Sequence, residues 1–157
     1  MKVQPLLPQP ISTRKKVLRR SIDGDAVFIR FVCGEIDRDS HVAAGIFCAA
    51  YALLESHGLP WYELDELVEL REWFNTHLKS PFDYLAYHKR YDRAVCWFKP
   101  TAHEHLARAW ELAAILERND IVIWTIKSPR AGYVHYEDDI QVFAQPHPDV
   151  RLLLERR

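Results

Sequence analysis

Residues 93–145 read RAVCWFKPTAHEHLARAWELAAILERNDIVIWTIKSPRAGYVHYEDDIQVFAQ. The breaks in this stretch decide the fold. Ala94 to Phe98 is a short apolar run that ends at Lys99-Pro100, where proline can no longer donate to a strand ladder. Thr101 and Glu104 have capping-box spacing: the hydroxyl would take the Glu104 amide, and the carboxylate would return to the Thr101 amide. The helix they open carries Leu106, Ala109, Trp110, Ala113 and Leu116 on one stripe and runs to about Arg118, with Asn119 as a left-handed terminator. A second apolar run, Ile121 to Ile126, follows. Tyr133 to Tyr136 and Ile140 to Ala144 then make a hairpin with Glu137, Asp138 and Asp139 at its tip.

Strand, helix and strand in that order predict a right-handed crossover between parallel strands. The expected fold is α+β: a mixed sheet of about five strands containing one βαβ unit and a C-terminal hairpin, covered by three to four helices. Upstream, Ala26 to Cys33 reads as a further strand. Val27, Ile29, Phe31 and Cys33 share one face and Phe28, Arg30 and Val32 the other, so both faces are mostly apolar and the strand should be central. A helix over His41 to Glu55 is expected to bury Ile46, Phe47, Ala50, Leu53 and Leu54, and to stop at Gly58 before Pro60. A further helix over Trp61 to Leu78 places Leu64, Leu67, Val68, Phe74 and Leu78 at helical period. Its first half is acidic, which the helix dipole favours and which would also suit a basic partner.

The chain divides into an N-terminal basic arm, residues 1–25, and one α+β domain, residues 26–157. Pro5, Pro8 and Pro10 break regular structure in the arm, whose composition is compatible with disorder. Arg14, Lys15, Lys16, Arg19 and Arg20 then put five positive charges within seven residues. They suit phosphate or an acidic partner, and equally a solvated face. A net charge of -1 gives no global field that would steer the chain to nucleic acid or to a membrane surface. Cys33, Cys48 and Cys96 all lie in apolar runs, which reads as buried reduced thiols and a cytoplasmic location. The polar, proline-containing start is unlike a signal peptide, and no membrane partner is expected.

Four groups of residues are candidates for function. Arg30, a guanidinium among apolar neighbours, needs a carboxylate partner or an anionic ligand. In residues 80–93, Tyr84, Tyr87 and Tyr91 would share a helical face, with His88, Lys89, Arg90 and Arg93 beside them. Aromatic faces that stack on bases, mixed with cations that hold phosphates, are what single-stranded nucleic acid requires. The same face could equally be core. Lys99, Lys127 and Arg130 end or follow strands, and with Arg30 would make a positive patch at a sheet edge. Finally, His135 with Glu137, Asp138 and Asp139 has the residue types for proton transfer or a hard cation, although acids at a hairpin tip are also ordinary turn chemistry.

Other patterns argue against particular chemistries. His103 and His105 are two apart on a helix and point to different sides, whereas helical metal motifs use a spacing of four. The cysteines lack Cys-x-x-Cys spacing. No Gly-rich phosphate loop, dinucleotide fingerprint or Gly-x-Ser-x-Gly elbow occurs, so no cofactor and no metal are expected.

The segment Cys96-Trp97-Phe98-Lys99, the helix with Glu104-His105, and the ending from Gly132 through Tyr133, Val134, His135 and Tyr136 to Pro146 resemble a small family of uncharacterised bacterial proteins. The resemblance implies a bacterial cytosolic protein and brings no activity with it. Arg30 on an early strand and Glu137 on a late one also resemble the placement in ADP-ribosyltransferases, but the Ser-Thr-Ser and paired-glutamate signatures of that family are absent.

The sequence therefore favours a small cytosolic bacterial binding protein of regulatory, inhibitory or immunity type. It would act on a macromolecular partner (protein or single-stranded nucleic acid) without catalysis, through Arg30, Tyr84, Tyr87, His88, Lys89, Arg90, Tyr91 and Lys99. The alternatives are an enzyme acting on nucleotides or RNA through His135, Glu137, Asp138 and Asp139, and a structural homo-oligomer, in the simplest case a homodimer.

Overall fold

The computed structural model describes residues 27–36, 43–80, 94–145 and 153–156. Among them the elements run β1 (Phe28–Ile36), β2 (Ala43–Gly45), α1 (Ile46–Glu55), α2 (Trp61–His77), β3 (Val95–Phe98), α3 (His103–Arg118), β4 (Ile123–Ser128), β5 (Tyr133–Glu137), β6 (Gln141–Gln145) and β7 (Leu153–Arg156). The basic arm, and the cluster of Tyr84, Tyr87, His88, Lys89, Arg90 and Tyr91, lie outside the described residues.

The fold is α+β. A single sheet has the order β5-β6-β3-β1-β4-β7, with β2 placed against β1. The expected five strands are its centre, β5-β6-β3-β1-β4, and the short β2 and β7 extend it. One expectation is corrected: among the described strands every neighbouring pair is antiparallel, so the sheet they form is not mixed. The strand-helix-strand unit is nevertheless present. β3 and β4 each run antiparallel to β1, hence parallel to one another, but β1 sits between them. A strand from far upstream fills the slot, and nothing inside residues 93–145 records that insertion.

The alternation in β1 builds cores on both sides of the sheet. Ile29, Phe31 and Cys33 pack with the three helices, around Ala49, Leu67, Phe74, Ala109, Leu112, Ile115 and Leu116. Phe28 and Val32 join Val95, Trp97, Ile126, Val134, Val142 and Ala144 on the opposite face. Phe31 is 1 % exposed, with its ring edge-on to Trp110 at 4.6 Å, and burial of such a side chain contributes about 3 kcal/mol.

Several local expectations move by a residue or two, each for a visible reason. The expected helix from His41 begins at Ile46, because Ala43–Gly45 pairs with β1 instead. The capping box does not form. Ala102 donates its amide to the Lys99 carbonyl at 3.0 Å, closing a turn over Pro100 and Thr101, so the helix starts at His103 without a side-chain cap. At the far end Asp120, with φ 63°, takes the left-handed conformation. Asn119 instead donates its side-chain amide to the Ile115 carbonyl and to Glu63 Oε2, both at 2.9 Å.

Those bonds explain the buried face of α2. Its inward positions are Glu63, Leu67, Leu70 and Phe74, and Leu64 is turned outward. Arg118 Nε donates to Glu63 Oε1 at 2.9 Å, and its Nη2 to Glu66 Oε2 at 2.8 Å. Bonds from Asn119 and then Arg118 hold the Glu63 carboxyl below the usual carboxylate range against the opposing effect of burial. This clamp fastens the start of α2 to the end of α3. The other end is fastened by His105, whose Nε2 donates to the His77 carbonyl at 2.8 Å.

Candidate functional site

The hairpin tip is the first candidate. A one-residue register shift in β5 falls at His135, between the pairs Val134–Ala144 and Tyr136–Phe143. An extra residue sends the following side chain to the other face. Val134 accordingly joins the outer core, while Tyr136 packs with Ala94, Cys96 and Phe143. Beyond it the acids take different partners. Glu137 Oε1 lies 2.7 Å from Lys99 Nζ, with both side chains largely covered. Asp138 turns back into the hairpin: its Oδ1 accepts the amides of Ile140 and Gln141, each at 2.8 Å. Its Oδ2 accepts the Tyr136 hydroxyl at 2.8 Å and, more distantly, the Gln141 side-chain amide at 3.5 Å. Burial pushes the Asp138 carboxyl up, but the amides of Gln141 and Ile140, the Tyr136 hydroxyl and the Gln141 side chain together hold it below the usual carboxylate range. This is the bonding pattern of a side chain that closes a turn. Asp139 is exposed beside it.

The second candidate is a cavity of about 300 Å³ where the sheet splits. β3 touches β1 only around Ile29 and Phe98, and further along β1 pairs instead with β2, through Val32 and Gly45. The opening between them is walled by Phe31, Ile46, Phe47, Phe74, Leu78 and Phe98. Its polar groups are Arg30, Cys48, Asn75, Lys79, Ser80, Cys96 and Gln141. Gln141 is 2 % exposed, and it donates Nε2 to the Lys79 carbonyl at 2.6 Å, tying the hairpin to the end of α2. Burial pushes the Cys96 thiol up to about 12, with the Arg30 charge opposing and Asp138 adding to the rise. Cys96 is therefore a neutral thiol near pH 7 and a poor nucleophile.

The third candidate is an exposed apolar surface. Trp61 (75 % exposed), Tyr51, Tyr62 and Leu64 face solvent on α1 and the first turn of α2, and the Trp61 and Tyr62 rings meet edge-on at 5.7 Å. Residues 61–77 carry five carboxylates and one arginine, so the surroundings are acidic.

These positions relate unevenly to those expected from sequence. Arg30 lines the cavity, with Nη2 placed 3.6 Å from where a side chain at Gly45 would begin. Lys99 lies at the hairpin with its charge met by Glu137, and Arg130 is exposed. His103 is exposed while His105 is buried at the α2 terminus, so the two do not converge. Among the described residues, no three His, Cys, Asp or Glu side chains come together as a metal site, and no helix is long and apolar enough to cross a membrane. Cys33 is buried as expected, Cys96 is partly covered, and Cys48, expected to be buried, is exposed on α1. Sequence reasoning missed the Trp61-Tyr62 pair, although its signal was present: two large aromatics directly after Pro60, ahead of the buried stripe. It also missed the cavity, whose walls come from five separate segments of chain. Comparisons with protein families, with curated proteins and with solved structures find no match.

Proposed function

We propose that the chain is a non-catalytic binding protein whose partner is another protein with a basic surface. The observation that carries this reading is the exposure of Tyr51, Trp61, Tyr62 and Leu64 on two adjacent helices. Large aromatics held out in water on a rigid helical frame are typical anchors of protein interfaces. The carboxylates of α2 set the charge of the partner: Asp65, Glu69 and Glu72 are exposed along the same helix, Glu72 with Arg71 at 3.5 Å, and would repel a phosphate backbone. A regulatory or inhibitory role fits such a surface, because it needs occupancy and no chemistry. The hairpin acids favour the same reading, since Asp138 and Glu137 already serve the turn and Lys99.

The test is affinity capture with the wild-type chain and with the Trp61→Ala/Tyr62→Ala variant, whose changes lie on the surface and leave the core intact. A basic protein should be retained by the wild-type chain, released by salt and lost from the variant. Truncation of an anchoring Trp costs 2 kcal/mol or more, about a 30-fold loss of affinity. Equal recovery by the variant would refute this placement, and salt-released nucleic acid in place of protein would refute the partner class.

A further inference from the structure

We infer that the cavity at the split between β1 and β3 is a binding site for a small amphipathic carboxylate, with an apolar chain or ring inside and its anionic head at the mouth. This inference concerns a different part of the molecule from the helical surface above and stands without it. Three observations carry it.

The size is right. At about 300 Å³ the space lies at the lower end of pockets that hold small ligands, large enough for a chain of roughly eight carbons. The lining is right for the body of such a molecule. Phe31, Phe47, Phe74 and Phe98 surround it, and Phe47 stands edge-on to Phe74 at 4.9 Å and to Phe98 at 6.4 Å. These rings sit on α1, α2 and two strands that are fixed by the sheet and by the Glu63–Arg118 clamp, so the space is built and does not depend on one mobile side chain.

The charge selects the head group. Among the described residues the lining includes two cations, Arg30 and Lys79, and no carboxylate. Lys79 forms no ion pair with a described carboxylate. Arg30 already has a partner, so the exposed Lys79 is the cation assigned to the head group. Gly45 matters here because it has no side chain: its backbone is extended, with φ -74° and ψ 165°, so any residue is tolerated, yet a side chain there would start 3.6 Å from the guanidinium. The neutral Cys96 thiol adds no competing negative charge.

The experiment titrates the full chain with octanoate, 1-octanol and octylammonium while amide chemical shifts are followed by NMR. Octanoate should shift the amides of Gly45, Phe47, Lys79 and Cys96 saturably, and octylammonium should bind at least about tenfold more weakly, since it meets the like charge of Lys79. Gly45→Leu should abolish the saturable shifts while the rest of the spectrum is kept. If that variant does not fold, Lys79→Glu serves the same purpose: it changes only an exposed head group and should weaken octanoate by about tenfold. Absence of saturable octanoate binding would overturn the site. Equal binding of all three compounds, or octanoate binding unaffected by both variants, would overturn the assignment of an anionic ligand to this cavity.

Discussion

Replacing Asp138 with alanine separates a turn-forming carboxylate from a catalytic one. The side chain accepts two backbone amides and one hydroxyl, all at 2.8 Å. A hydrogen bond to a charged acceptor contributes about 1.5–3 kcal/mol when fully shielded. Asp138 is only partly buried, so water replaces part of each bond, and about 1 kcal/mol for each amide with somewhat less for the hydroxyl is the appropriate count. Asp138→Ala should therefore cost about 2–3 kcal/mol, and Asp138→Asn, which keeps an acceptor for the two amides, about 1 kcal/mol. Urea unfolding followed by tryptophan fluorescence measures this directly, and a slope of about 2 kcal/mol per molar turns the alanine loss into a midpoint lower by about 1 M. Hydrogen exchange should show the Ile140 and Gln141 amides losing protection first. The pH dependence carries the same sign. The folded carboxyl titrates below its ordinary value of 3.8, so its stabilisation is present above that value and is lost as the pH falls through it toward the folded value. The alanine variant should lack this part of the acid slope. A change under about 0.5 kcal/mol, with the two amides still protected, would refute the reasoning.

Three further outcomes are expected. At pH 8, iodoacetamide should modify exposed Cys48, while buried Cys33 and partly covered Cys96, whose thiol is pushed up to about 12, react only after unfolding. Equal labelling of Cys96 and Cys48 by mass spectrometry would contradict the cavity geometry. Lys99→Met should cost about 2 kcal/mol in urea melts by leaving Glu137 poorly solvated, and Lys99→Met/Glu137→Leu should recover most of it. Phe31→Ala should cost about 3–5 kcal/mol, because its neighbours Trp110 and Phe98 are held by α3 and β3 and cannot close the gap. A loss below 1 kcal/mol would mean that the inner core is loosely packed.

The legible parts of this fold are those written in local pattern. The alternation of Phe28 to Cys33 marks a strand covered on both faces, and the helical stripe from Leu106 to Leu116 marks α3. The hairpin tip is marked by its acids. Features set by partners far away in sequence were not legible. The place of β1 between β3 and β4 depends on a pairing across more than sixty residues, so a local strand-helix-strand reading gives adjacent parallel strands instead. Glu63 is a buried carboxylate that no hydropathy pattern marks, because the bonds that compensate it come from Arg118 and Asn119. The bulge at His135 is equally silent, since Tyr136 looks like any alternating strand residue until the register with Phe143 is known. The candidate sites follow the same rule. Adjacent acids in the sequence invited chemistry, and in the structure they take different partners. The cavity and the aromatic pair depend on where helices lie.

The most direct measurement places a photo-reactive benzoylphenylalanine at Tyr62 and irradiates cells that produce the full chain, with the same probe at exposed Val122 as the control. A protein-docking surface on α1 and α2 predicts one dominant cross-link to a basic protein from position 62 and not from position 122. Cross-linking only to a second copy of this chain, only to nucleic acid, or equally from both positions would contradict it.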